Sequence, residues 1–311
     1  MYNFFHKFKI SHILGRNFLT VDFLPFRLLY KLFSRINWSK KVSRNGQNVT
    51  ILIKNGMGIM NFVSHYENWL DEILPKLIDE EDAVFLDIGA NTGQTMIKVL
   101  PRFPNVRYFA VEPNTHCVSY LHALCEANSF RNVKILEYAL SDSPGEAVLL
   151  TRYQDDILAT TTHSFRKFTK YAIKKQVPMT TGDALMEAEN LTKVSVIKID
   201  VEGGEAKVID GFLNTIKKFQ PYIICEILPL STEDKGVTAF RTICAGQILS
   251  RLRDLNYISM NIVTGKPVNH IEDLSSSLES CNYLFLPDTK TQLEKFKLTC
   301  GSAITTFANQ N

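Results

Sequence analysis

The chain contains no stretch of the roughly 18 consecutive apolar residues that a membrane-spanning helix requires, so no helical crossing of a bilayer is expected. Its six cysteines (Cys117, Cys125, Cys225, Cys244, Cys281 and Cys300) include no CxxC pair. The expectation is reduced, buried cysteine in a cytoplasmic protein. The first residues lack the compact apolar core of a signal peptide, because Lys7, Lys9, His12 and Arg16 interrupt it. No internal repeat, low-complexity tract or His/Cys/Asp cluster with metal-ligand spacing is found. Paired acids can bind Mg²⁺, but nothing demands it, and no metal is expected. A basic surplus is also missing from most of the chain. Residues 1–45 hold nine Lys or Arg against the single acid Asp22, whereas the remainder carries a net charge of −5. A nucleic-acid footprint is therefore not expected on the main domain.

What is present is an ordinary globular composition. The 311 residues are 45% hydrophobic and 22% charged, enough for one large α/β domain with extensions. Residues 1–48 form a basic segment interleaved with aromatics such as Phe4, Phe8, Phe26 and Trp38. This mix suits helices, either lying in a membrane interface or packing on the domain with their bases in water. A lead-in of residues 49–80 follows. Residues 49–53 and 59–63 read as two strands joined through Asn55-Gly56, and 69–77 as a helix with Trp69, Ile73 and Leu77 at four-residue spacing.

Residues 81–290 read as the main domain, with a tail at 291–311. Short apolar runs at 83–88, 106–111, 133–139, 194–199 and 222–227 alternate with amphipathic helices at 93–100, 115–128, 204–217 and 240–255. That alternation predicts a doubly wound α/β fold with a mostly parallel, seven-stranded sheet. The last two runs, 257–262 and 283–286, lack a helix between them and suit an antiparallel edge. Thr115 is a plausible N-cap for the second helix. Residues 147–151 suit an extra strand, and 152–178 read as polar and irregular.

The chemistry concentrates at the strand ends. Asp87-Ile88-Gly89-Ala90-Asn91-Thr92-Gly93 leaves a strand and opens a helix. Its glycines permit a tight turn and a close ligand, yet their spacing is not that of the dinucleotide fingerprint. Asp87 can hold a cationic group or simply cap the helix. Glu112, in Glu112-Pro113-Asn114, ends the second strand where ribose hydroxyls are held in nucleotide-binding sheets. Leu140-Ser141-Asp142 follows the third strand and can meet an adenine edge, or be a plain turn. Lys198-Ile199-Asp200-Val201-Glu202-Gly203-Gly204-Glu205 closes the fourth strand. Asp200 and Glu202 would share a side if that strand continued, with Lys198 able to neutralise one, and the helix dipole favours Glu205. Glu226 ends the fifth strand.

In order, these motifs resemble the FkbM family of S-adenosylmethionine-dependent methyltransferases over roughly residues 60–287. The resemblance rests on Asp87 to Gly93, Val111-Glu112-Pro113-Asn114, Ala139-Leu140-Ser141-Asp142 with Gly145-Glu146, Lys198 to Gly203 with Glu205, and Glu226-Ile227. It implies the class I methyltransferase fold, S-adenosylmethionine as donor with S-adenosylhomocysteine as product, and O-methylation of a sugar, glycan or related natural product. It implies donor-binding roles for the first three motifs and active-site roles for Asp200 and Glu202. One departure is Thr181-Gly182-Asp183, where the family often has Thr-Leu-Asp.

Asp200 is the first choice for the base that takes the acceptor's proton, and Glu202 the second. Glu226 is expected to orient the acceptor, with His163 and Ser164 as loop contacts. Two other readings are carried forward: a nicotinamide-dependent oxidoreductase, and a non-catalytic module at a membrane surface.

Overall fold

The computed structural model describes residues 37–44, 46–62, 67–78, 82–152, 159–162 and 173–289. The interfacial helices expected in the first 36 residues, the tail from 291, and His163 and Ser164 lie outside the described residues.

The described chain begins with β1 (Trp38–Arg44) and β2 (Gln47–Ile53), paired antiparallel with Trp38 opposite Ile53. Residues 38–44 are therefore a strand, not part of a helical segment. Gly46, at φ +77°, lies between the two strands. The Asn-Gly at 55–56 makes a tight turn closed between Lys54 and Met57. The strand expected at 59–63 is instead a 3-10 turn, Ile59–Phe62. An Asn-Gly pair is a local turn signal, and whether it joins two strands depends on what lies beside it.

The order continues α1 (Asn68–Leu77), β3 (Val84–Ile88), α2 (Met96–Val99), β4 (Arg107–Val111), α3 (Thr115–Asn128), β5 (Val133–Leu136), β6 (Ala139–Leu140), β7 (Gly145–Thr151) and β8 (Ile173–Thr180). Then come α4 (Gly182–Ala188), β9 (Val196–Ile199), α5 (Glu205–Gly211), α6 (Leu213–Phe219), β10 (Tyr222–Glu226), α7 (Lys235–Asp254), β11 (Tyr257–Asn261) and β12 (Asn282–Pro287).

Seven strands form the main sheet in the order β11-β12-β10-β9-β3-β4-β5. The pairs from β10 through β5 are parallel, and β12 runs antiparallel between β10 and β11. From β3 the chain winds outward through β4 and β5, then crosses back to β9. The strand order thus reverses between β3 and β9, which opens a crevice at their carboxyl ends. Both strands are buried along their length, as parallel strands covered on two faces must be. The pleat splits β3 between two cores. Phe85 joins Leu74, Tyr120 and Leu121 on one face, while Val84, Leu86 and Ile88 join Phe212, Ile216 and Leu252 on the other.

Three local differences from the sequence reading have physical causes. The cap of α3 is Asn114, whose Oδ1 accepts from the His116 amide at 3.1 Å, not Thr115. The helix expected at 204–217 breaks at Phe212, whose ring lies where a Cβ on Gly182 would sit, 2.2 Å away. Asp183 then accepts from the Thr215 amide at 2.8 Å and the Asn214 amide at 3.2 Å, supplying the acceptors that the first turn of α6 needs. The same contact accounts for Gly182, because a leucine there would overlap the ring. Finally, β8 falls within the span expected to be irregular. It forms a small sheet, β6-β8-β7, against β7 and β6. Its Ile-Lys-Lys-Gln-Val-Pro-Met-Thr sequence is exposed at its first four residues and lacks a strand's apolar alternation.

Candidate functional site

Four acidic residues sit at the carboxyl ends of neighbouring strands: Asp87 in β3, Glu112 after β4, Asp200 after β9 and Glu226 closing β10. Between them lies the bend at residues 89–93. The amides of Gly89 and Ala90 both donate to the Val111 carbonyl, at 2.9 and 3.1 Å. Gly89 has φ +86°, and a Cβ there would lie 1.9 Å from the Asp200 carbonyl oxygen. Only glycine meets both conditions. The bend is thereby pressed against the end of β9.

Asp87 is fully buried. Its Oδ2 accepts from the Tyr108 hydroxyl at 2.5 Å, and Tyr108 is placed for this by stacking on Phe85, 5.3 Å between ring centres. Its Oδ1 has no hydrogen-bond partner among the described residues. Burial raises the Asp87 pKa, against the opposing pull of Lys198 and Tyr108.

Lys198 stands opposite Asp87 in the β3–β9 register, with its Nζ 3.1 Å from Asp200 Oδ2. Burial alone would depress the pKa of this ammonium. The surrounding Asp200, Glu67 and Asp87 outweigh burial and raise it, so Lys198 stays charged. The pairing of Lys198 with Asp200 follows the sequence reading. Glu67, at the head of α1, is an acidic neighbour of the same lysine that the reading missed, and burial raises its pKa. Nothing in its local sequence marks it.

Glu112 accepts from the Asn91 amide through Oε2 and from the Asn114 amide through Oε1, each at 2.9 Å. Burial nonetheless pushes its pKa up to about 7. Pro113 and Asn114 carry the chain from this carboxylate into α3. Thr92 is buried within the bend.

Leu140 and Ser141 are buried at the end of β6, with the Ser141 amide on the Thr180 carbonyl. Asp142 is exposed and accepts from the hydroxyls of Ser141 and Ser143. This motif belongs to the small sheet, not to the end of β5.

The strand does not continue past Ile199, so Asp200 and Glu202 do not share a side through strand alternation. Glu202 instead takes a left-handed backbone, φ +58°. Two buried side chains hold that turn. Thr160 Oγ1 donates to the Glu202 carbonyl at 2.7 Å, and Glu205 Oε1 accepts from the amides of Gly203 and Val201 at 3.0 and 3.2 Å. Glu205 thus acts inside the site's wall as well as at a helix start. Thr160 was not singled out as a site residue, because its partner lies 42 positions away. Glu226 accepts from Cys281 Sγ at 3.4 Å and lies toward the β12 side. Among the described residues, no group of three or more His, Cys, Asp or Glu side chains is arranged to hold a metal ion. No described helix is long and apolar enough to cross a membrane.

The model of the methyltransferase FkbM domain matches residues 87–285. The chain belongs to the FkbM methyltransferase family. That membership favours a methyltransferase reading over the oxidoreductase one. Among relatives, the hexuronic acid methyltransferase AglP of Haloferax volcanii is 34% identical over 151 residues. That match covers 48% of this chain and 57% of AglP, just over half the length of the relative. A solved methyltransferase FkbM from Methylobacillus flagellatus is 12% identical, with a TM-score of 0.41 over 66% of this chain and 44% of that one. An S-adenosylmethionine-dependent methyltransferase from Agrobacterium tumefaciens is 8% identical, with a TM-score of 0.42 over 82% and 72% of the two chains.

Proposed function

We propose that this methyltransferase moves the methyl group of S-adenosylmethionine onto a hydroxyl oxygen of a sugar or glycan, releasing S-adenosylhomocysteine. The observation that carries this reading is Asp200. Its carboxylate stands at the switch point, 29% exposed, against a buried lysine and directly beside the glycine bend.

The residues present fit the donor. Asp87 keeps a buried, unsatisfied carboxylate oxygen, which suits the cationic amino-acid end, directly or through water. Glu112, held by two backbone amides, retains lone pairs for the two ribose hydroxyls. The bend 89–93 lines the floor between them. Leu140, Ser141 and Asp142 offer an apolar side chain, a backbone and a carboxylate to the adenine edge. Bound there, S-adenosylmethionine supplies a methyl carbon made electrophilic by its sulfonium.

The chain's own part is alignment and proton removal. Aligning oxygen, carbon and sulfur replaces an encounter with a positioned displacement. Asp200 takes the acceptor hydroxyl's proton as the new bond forms. A base within hydrogen-bond reach contributes about 10²–10⁴-fold. Lys198 holds Asp200 in place through their 3.1 Å ion pair. Glu202, on its pinned turn, and Glu226, from the next strand, face the acceptor. Similarity to AglP, a hexuronic acid methyltransferase, supports a sugar acceptor. For residues 1–36, we retain contact with an anionic membrane surface as part of this reading. Their bases and aromatics support it.

The test is transfer of labelled methyl from S-adenosylmethionine into glycan and lipid extracts. Alkali-stable label on a sugar oxygen is expected. Label on nitrogen or carbon, or none in any extract from an enzyme that binds S-adenosylhomocysteine, would overturn the assignment.

A further inference from the structure

The lead-in before the family-matched residues meets the donor bend through one side chain. Asn61, in the 3-10 turn, is 1% exposed. Its Nδ2 donates to the Thr92 carbonyl at 2.8 Å and to the Tyr120 hydroxyl at 3.3 Å. Tyr120 in turn donates to the Leu52 carbonyl at 2.7 Å. Arg44 donates to the backbone carbonyl of Asn61 at 2.5 Å. One asparagine thus connects β1, β2, α3 and the bend.

Its position on the bend is specific. Thr92 lies between Asn91 at φ +50° and Gly93 at φ +75°. A carbonyl between two left-handed residues is not committed to a helical partner, and rotation of its peptide would reshape the bend. On the other side the Asn91 amide is held by Glu112. The bend is pinned from below by the sheet's own acid and from outside by Asn61. The packing leaves no slack for this arrangement. A Cβ at Gly58 would fall 2.0 Å from the Tyr120 hydroxyl and 2.3 Å from the Leu52 carbonyl. Asn61 Oδ1 is left buried with no hydrogen-bond partner among the described residues. The amide is oriented for what it gives, although its own acceptor goes unmet.

We propose that Asn61 is a positioning residue of the methyl-donor site, acting through the Thr92 carbonyl, so that the lead-in forms part of the site. This rests on the reading that residues 89–93 hold the donor. The measurement is calorimetric titration of the full-length protein and its variants with S-adenosylhomocysteine, alongside thermal unfolding. Asn61→Leu is expected to raise Kd about tenfold. Tyr120→Phe removes a buried hydrogen bond of the same cluster but leaves the Asn61–Thr92 contact. It is expected to lower Tm with Kd within twofold of the parent. Should Asn61→Leu fail to fold, Asn61→Asp keeps the shape and replaces the donor with an acceptor, and about tenfold weakening is again expected. Unchanged Kd in a folded Asn61 variant, or Kd rising equally in Tyr120→Phe, would overturn the inference. A parent protein without affinity for S-adenosylhomocysteine would instead overturn the donor-site reading on which it stands.

Discussion

The two faces of the site are built by different means. On the proposed reading, the donor side is made by the tips of β3, β4 and β9, whose partners are neighbours in a parallel ladder. The proposed acceptor side is closed by pieces from elsewhere. Thr160 reaches the Glu202 carbonyl from the small sheet's connection. Strand tips place carboxylates with the stiffness of the sheet. Borrowed loops place them through single hydrogen bonds, each contributing only about 1 kcal/mol. Damage to the first kind of support should therefore cost far more than damage to the second.

The largest effect is expected at the base. Asp200→Asn should lower kcat by about 10²–10⁴-fold, while calorimetry finds S-adenosylhomocysteine affinity within about threefold of the parent. Near-normal turnover would remove Asp200 from the chemistry. Next comes the bend. Gly89→Ala places a Cβ at a positive φ and against the Asp200 carbonyl. It should cost about 1–3 kcal/mol by denaturant unfolding and weaken donor binding more than tenfold.

The third test uses pH. Unfolded, Glu112 titrates near 4.5; folded, it keeps its proton to about 7. The folded state then binds more protons between those values. Its contribution to stability is complete below about pH 4.5 and is lost as pH rises toward 7. Burial raises the pKa values of Asp87, Glu67 and Glu205 in the same direction. Glu112→Gln should therefore flatten, not abolish, the decline in Tm over that window. In the parent, S-adenosylhomocysteine affinity should strengthen through about pH 7, as the ionised carboxylate gains an acceptor. A pH-independent affinity would disconnect Glu112 from the ribose.

Smaller effects should mark the borrowed supports. Thr160→Val removes the hydroxyl that holds the Glu202 turn. Turnover should fall about fivefold, with donor affinity unchanged. A change as large as that of Asp200→Asn would erase the contrast between the two faces. Smallest of all, deleting residues 1–36 while keeping β1 should leave donor affinity unaltered and abolish sedimentation with anionic vesicles. Equal sedimentation of both forms would end the membrane proposal.

Much of the crevice at the tips of β3, β4 and β9 was legible in the sequence, because parallel strands are read from apolar runs and their ends from acids and glycines. Glu112 and Asp200 each follow such a run directly, and Asp87 lies near the end of one. The loops that meet these tips were less legible. β8 carries no alternating pattern, and Thr160 and Glu67 meet their partners only across long loops. The same holds at 55–56, where an Asn-Gly pair that reads as a hairpin connection makes a tight turn closed between Lys54 and Met57. Asp200 and Glu202 would share a side only if the strand continued, yet Glu202 bends left-handed, held by Thr160 and Glu205.

The sequence by itself determined the periodicity of the main strands and helices, and with it the parallel sheet and the order of acids along its crevice. Those are set by local geometry and burial. The tertiary structure alone decided that β12 inserts between β10 and β11, that Lys198 pairs with Asp200 within the influence of Glu67 and Asp87, and that Asn61 donates to the bend. Each of these depends on contacts between residues far apart in the chain, for which no spacing rule in the sequence exists.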